Sequence, residues 1–108
     1  MDAQDYPILH FQYMAKFAIE LKEIPAQVLE HEYRYDAFGS WLLVVRCKGV
    51  PLRVVFDGKE GEYRIERSAS LEMPYRWENE SWRHPRGSDS EADRANLIAA
   101  IVRLSAAS

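Results

Sequence analysis

Hydrophobic positions recur with two different periods along this chain, and the changes of period divide it into elements. Phe11, Met14, Phe17, Ala18, Leu21 and Ile24 follow helical spacing, with Gln12, Lys16, Glu20 and Glu23 between them as the wet side. Pro7 suits a helix start with Asp5 as its cap, and Pro25 stops the helix. Leu9, Phe11 and Tyr13 also alternate as a strand would, but the longer period runs unbroken to Ile24, so a helix is predicted.

From Ala26 the period is two. Leu29, His31, Tyr33 and Tyr35 alternate with Val28, Glu30, Glu32 and Arg34. After the turn signal Asp36-Ala37-Phe38-Gly39, Trp41, Leu43, Val45 and Cys47 alternate with Leu42, Val44, Arg46 and Lys48. Lys48-Gly49-Val50-Pro51 turns the chain into Leu52, Val54 and Phe56, and Asp57-Gly58-Lys59-Glu60-Gly61 turns it into Tyr63 and Ile65. Connections this short make neighbouring strands antiparallel, since a parallel crossover needs a dozen or more residues. Met73, Tyr75 and Trp77 predict a fifth strand within Leu71–Trp82, placed at an edge by Pro74, with His84-Pro85-Arg86-Gly87 as loop. Ser88 and Glu91 form a capping-box pattern before a last helix that buries Leu97, Ile98, Ile101, Val102 and Leu104. The predicted fold is α+β in two layers. An antiparallel meander of four or five strands lies between an N-terminal and a C-terminal helix, both on one sheet face, in a single domain over residues 1–108.

If the helices cover the face carrying Trp41, Leu43, Val45, Leu52, Val54 and Phe56, the other face is charged. It carries Glu30, Glu32, Arg34, Arg46, Lys48, Arg53, Asp57, Glu62, Arg64 and Glu66. Cross-strand pairs of opposite sign stabilise such a face by about 0.2–1 kcal/mol each. Alternatively the face is a docking surface for a protein partner or for a second copy of the chain.

At 47% hydrophobic and 29% charged residues, the 108-residue chain has a globular balance rather than that of a disordered tail. Its net charge of −3 argues against bulk attraction to polyanions. Residues 37–71 are the basic stretch, with six bases and four acids. One cysteine, Cys47, allows no internal disulfide, and the acidic start Met1–Asp5 lacks a signal-peptide pattern. No apolar run reaches membrane-spanning length, so a cytoplasmic protein without membrane attachment is expected.

Chemistry is sparse. His10, His31 and His84 show no metal-ligand spacing, and no phosphate-binding glycine loop or nucleophile elbow is present. No base stands beside Cys47 in sequence, which reads as a small buried hydrophobe. No cofactor, metal or catalytic residue is assigned. The densest segment is Tyr75–Arg86, holding Trp77, Trp82, Arg76, Arg83, Arg86 and His84. Aromatics interleaved with arginine either anchor a partner and stack bases, or close a small core.

The leading expectation is a non-catalytic interaction module, an adaptor, chaperone or regulator. Its candidate binding residues are Arg46, Arg53, Arg64, Tyr75, Trp77, Trp82, Arg83 and His84. Nucleic-acid binding through Arg46, Arg53, Arg64 and Arg83, with Trp77 or Trp82 stacking on bases, is the second reading. The third is a small-molecule site or enzyme near His31, with Tyr33 and Tyr35 as polar lining. The helix–sheet–helix order occurs in double-stranded RNA-binding domains and in small dimeric secretion chaperones, but no motif of either is present. The acidic opening Ser88–Asp93 of the last helix would repel phosphate.

Overall fold

The computed structural model describes residues 6–34, 36–78 and 81–106. Helix α1 (Tyr6–Glu23) leads into strands β1 (Gln27–Arg34), β2 (Ser40–Cys47), β3 (Val50–Asp57), β4 (Glu62–Arg67) and β5 (Trp82–Pro85), and helix α2 (Ser90–Ala106) ends the chain. The strands form one antiparallel sheet in the order β1-β2-β3-β4-β5. Both helices pack on the face predicted to be apolar. Trp41, Leu43, Val45, Leu52, Val54, Phe56 and Ile65 form the core there with Phe17 and Leu21 of α1 and Leu97, Ala100 and Ile101 of α2.

Local chemistry sets the connections. Lys48 and Gly49 both have positive φ, 53° and 80°, so β2 and β3 are joined by a two-residue turn of the hairpin type. Val50 and Pro51, expected in that turn, already belong to β3. The Asp57 carboxylate accepts from the amides of Lys59 and Glu60 and organises the β3–β4 turn. Gly58 is needed for a tertiary reason, because a Cβ there would overlap the carbonyl oxygen of Phe38 in the β1–β2 turn. The same approach lets the Gly58 amide donate to Ser40 Oγ at 2.9 Å.

Several local expectations change. The fifth strand is Trp82–Pro85, not the Met73–Trp77 stretch. Residues 68–78 instead form an excursion in which Ser68 pairs with Trp77 and the Ser68 Oγ is bound by the amides of Ser70 and Arg76. Pro74, with a cis bond from Met73, sits near its tip rather than in an edge strand. In β1 the ladder slips between Val28 and Glu30. Leu29 is the extra residue of that bulge, so Val28 rather than Leu29 shares a face with His31 and Tyr33. In α1 the buried stripe is rotated. His10 and Phe17 are inside, and Tyr13 packs on the core, while Phe11 is 66% exposed. Glu20, expected on the wet side, lies against α2, where the buried Arg94 Nε donates to its carboxylate at 2.6 Å. The α2 cap is Asp89, whose carboxylate accepts from the Glu91 amide, one residue after the expected Ser88. Asp5 and Tyr35 lie outside the described residues. No described helix is long and apolar enough to cross a membrane.

Candidate functional site

The cross-strand register places one aromatic ring per strand in a single row. Tyr33 pairs with Trp41, Trp41 with Phe56, Phe56 with Tyr63, and Tyr63 with His84. Hairpin connections cause this, because the end of each strand abuts the start of the next. The ring centroids of Trp41 and Phe56 are 6.1 Å apart and those of Phe56 and Tyr63 are 5.0 Å apart. Space remains between the row and the N-terminal turns of both helices, although Trp41, Phe56 and Tyr63 expose only 6%, 7% and 5% of their surface.

The result is a cleft of about 880 Å³. Its aromatic wall is His10, Tyr33, Phe38, Trp41 and Phe56, and its rim is formed by the β1–β2 turn and by Arg86 to Ser90 before and at the start of α2. Arg86 stands over the Phe56 ring, 5.8 Å from its centroid. At the back are Tyr13, Tyr63 and Asp93. Asp93 is 4% exposed and accepts from the Gly87 amide at 3.0 and 3.1 Å and from the Tyr63 hydroxyl at 3.4 Å. Burial raises the ionisation of Tyr13 and Tyr63 above the ordinary phenol range, so both hydroxyls keep their protons. The Tyr13 hydroxyl is buried beside that of Tyr63, yet the two make no hydrogen bond of good geometry, and Tyr13 Oη has no partner among the described residues. A buried donor of this kind costs about 1–3 kcal/mol when unsatisfied.

One wall of the cleft is braced by a histidine pair. His10 stacks on Tyr33 with ring centroids 3.9 Å apart, and its Nε2 lies 2.8 Å from His31 Nε2. A hydrogen bond between two imidazole nitrogens needs one of them bare, so one ring must be neutral there. Burial, then the nearby charge of His31, lowers the pKa of His10 to about 4. Unfolding restores it to about 6.5, so the unfolded chain binds the proton more readily. The stabilisation is therefore complete above about pH 6.5 and is lost as the pH falls toward 4. Acidification from pH 7 to 4.5 should cost on the order of 1–3 kcal/mol through His10, and His10→Gln should remove much of that loss. Urea midpoints of both proteins at the two pH values measure it. An equal acid loss in the variant would assign the effect to other groups.

The residues singled out from sequence are divided between the two faces. Arg46, Arg53, Arg64 and Arg83 lie on the face away from the helices, and the 68–78 excursion brings Tyr75 and Trp77 to it. Arg46 donates to the Tyr75 hydroxyl at 3.0 Å, and the Arg53 guanidinium lies 4.9 Å from the centre of the Trp77 ring. Arg53 also pairs with Glu66 at 2.8 Å, and Arg83 with Glu62 at 2.7 Å. Trp82 and His84 are on the helix side, stacked on each other with centroids 5.6 Å apart, and Trp82 packs against the core. The tryptophans Trp77 and Trp82 thus do not share a surface. His31 lines a second, apolar groove of about 180 Å³ between α1 and β1. Cys47 is fully buried, with its thiol 3.7 Å from the Ile24 carbonyl. No group of acidic, histidine and cysteine side chains that could hold a metal occurs among the described residues.

Sequence reasoning named Tyr33 but passed over His10, Tyr13, Trp41, Phe56, Tyr63, Arg86 and Asp93 as a set. The available signal was the placing of aromatics on either side of each hairpin, Tyr33 and Trp41 around one turn and Phe56 and Tyr63 around another. No family model matches the chain, and no curated protein or solved structure matches it either.

Proposed function

We propose that the protein is a non-catalytic binding domain that takes one small, flat ligand in the aromatic cleft. The observation that carries this reading is the row of rings from Tyr33 to Tyr63 beneath a cleft of about 880 Å³. That size lies within the range of roughly 300–1,000 Å³ common for ligand pockets, and aromatic walls with a few convergent polar groups are their usual lining. A planar ring fits between such walls by stacking. Arg86 offers a charge at the rim. The described residues of the cleft pair no nucleophile with a base, since His10 is engaged with His31 and Cys47 is sealed in the core. A cytoplasmic setting accords with this reading, because Cys47 is a free thiol.

Titration with 2-naphthoate and with neutral 2-naphthol, followed by NMR, tests the proposal. The indole resonance of Trp41 should shift saturably with a Kd below about 1 mM, and Tyr33→Ala should weaken binding about tenfold. Trp77→Ala, on the other sheet face, should leave it unchanged. A stronger preference for 2-naphthoate would identify Arg86 as the group that selects charge. If neither compound shifts Trp41 more than Trp77, the cleft is not a site for ring compounds and the reading fails.

A further inference from the structure

The outer side of α1 is apolar, which a helix on the edge of a small domain does not need. Ile8, Phe11 and Ile19 are 59%, 66% and 65% exposed, with Ala15 and Ala18 between them. Beside this stripe runs the apolar groove of about 180 Å³, lined by Met14, Ala18 and Val28 among others. Phe11 and Ala18 are seven residues apart, which is two helical turns, so the projecting ring and the groove look out from the same side of α1.

We propose that this surface binds a second copy of the chain, with the two α1 helices antiparallel about a two-fold axis near residues 14 and 15. The pattern is self-complementary. With that axis, Phe11 of one copy lies opposite Ala18 of its partner and fills the groove beside it, and the reciprocal contact forms by symmetry. The small side chains of Ala15 and Ala18 let the helices approach to the usual 8–10 Å. The exposed parts of Ile8, Phe11, Ile19 and Val28 amount to on the order of 500 Å² per copy. Pairing two such surfaces, with Gln12, Lys22 and His31 at the rim, removes roughly 1,200 Å², the lower end for stable interfaces. A reversible dimer with a Kd in the micromolar range is the consequence. The cleft is approached from the opposite side of α1, through Leu9, His10 and Tyr13, so dimerisation leaves it open. The inference is independent of the proposed ligand.

Sedimentation velocity from about 1 µM to about 1 mM should show a monomer–dimer equilibrium, which Phe11→Asp should weaken at least 100-fold. Phe11 is exposed, so this variant should keep the circular dichroism and melting behaviour of the parent monomer. A second measurement uses cysteine pairs. Phe11→Cys mixed with Ala18→Cys should give a disulfide-linked heterodimer under copper-phenanthroline oxidation, faster than either variant alone. A chain that stays monomeric to about 1 mM overturns the proposal and leaves the stripe to a different partner or to none. A dimer untouched by Phe11→Asp also overturns it, and moves the interface to another surface.

Discussion

Replacing Trp41 with alanine should destabilise the protein by about 3–5 kcal/mol, a large part of the roughly 5–15 kcal/mol that holds a domain of this size folded. Trp41 is 6% exposed and stands at the meeting point of helix and sheet. Its ring centroid lies 6.3 Å from that of Phe17, 5.9 Å from Tyr13 and 6.1 Å from Phe56. Removing it opens a cavity between α1 and three strands that backbone held by the sheet ladder cannot collapse to fill. Trp77→Ala is the control. Trp77 is half-buried over Arg53 on the other face, and its loss should cost about 1 kcal/mol. Urea unfolding of both variants decides the matter. Similar costs would mean that the excursion 68–78 carries as much of the stability as the helix-covered core. Because Trp41 also lines the cleft, Trp41→Phe is the better probe of ligand binding, as it keeps a ring in the row.

The second large effect should come from Glu20→Ala, at about 2–3 kcal/mol. Arg94 is 5% exposed, lies 5.3 Å over the Tyr13 ring, and donates to Glu20 at 2.6 Å. Removing the carboxylate leaves a buried guanidinium without its counter-charge, and the loss then exceeds anything the pair contributes over an apolar contact. The side chain of Glu20 is 32% exposed, so water reaches the vacated place and holds the loss below that of a fully buried pair. The double variant Glu20→Leu/Arg94→Met should recover most of the stability, since it removes both charges and keeps the volume. A double-mutant cycle read by urea unfolding tests this. If the double variant is as unstable as the sum of the single ones, the two side chains are not coupled and the cost of Glu20→Ala does not come from a stranded charge.

The charged face shows how far alternation can be read. Arg53, Glu62 and Glu66 stand where a period of two placed them, and the internal pairs form. Alternation could not reveal that residues 68–78 leave the sheet and return over that face. Met73, Tyr75 and Trp77 keep strand spacing whether or not a ladder receives them. The ladder position beside β4 is taken by Trp82–Pro85, whose pattern is too short to be distinctive. The capping residue of α2 was misplaced by one because Ser88 and Asp89 are both good caps, and the geometry of the entry chain chooses between them.

The sequence by itself determined the order of elements, the antiparallel meander and the inward face of β2 and β3. Those features follow from local periodicity and from turns too short for any other pairing. The cleft was decided by tertiary structure alone. Its rings come from α1 and all the strands from β1 to β4, brought together by register, and its back wall adds Asp93 from α2, held by Gly87 and Tyr63. The rotation of α1 was decided there too. Apart from the side carrying Gln12, Lys16, Glu20 and Glu23, the residues of Tyr6–Glu23 are mostly apolar, so periodicity offers more than one inward face. Packing against Trp41 and the partnership of His10 with His31 selected the inner one, and left Ile8, Phe11 and Ile19 facing outward.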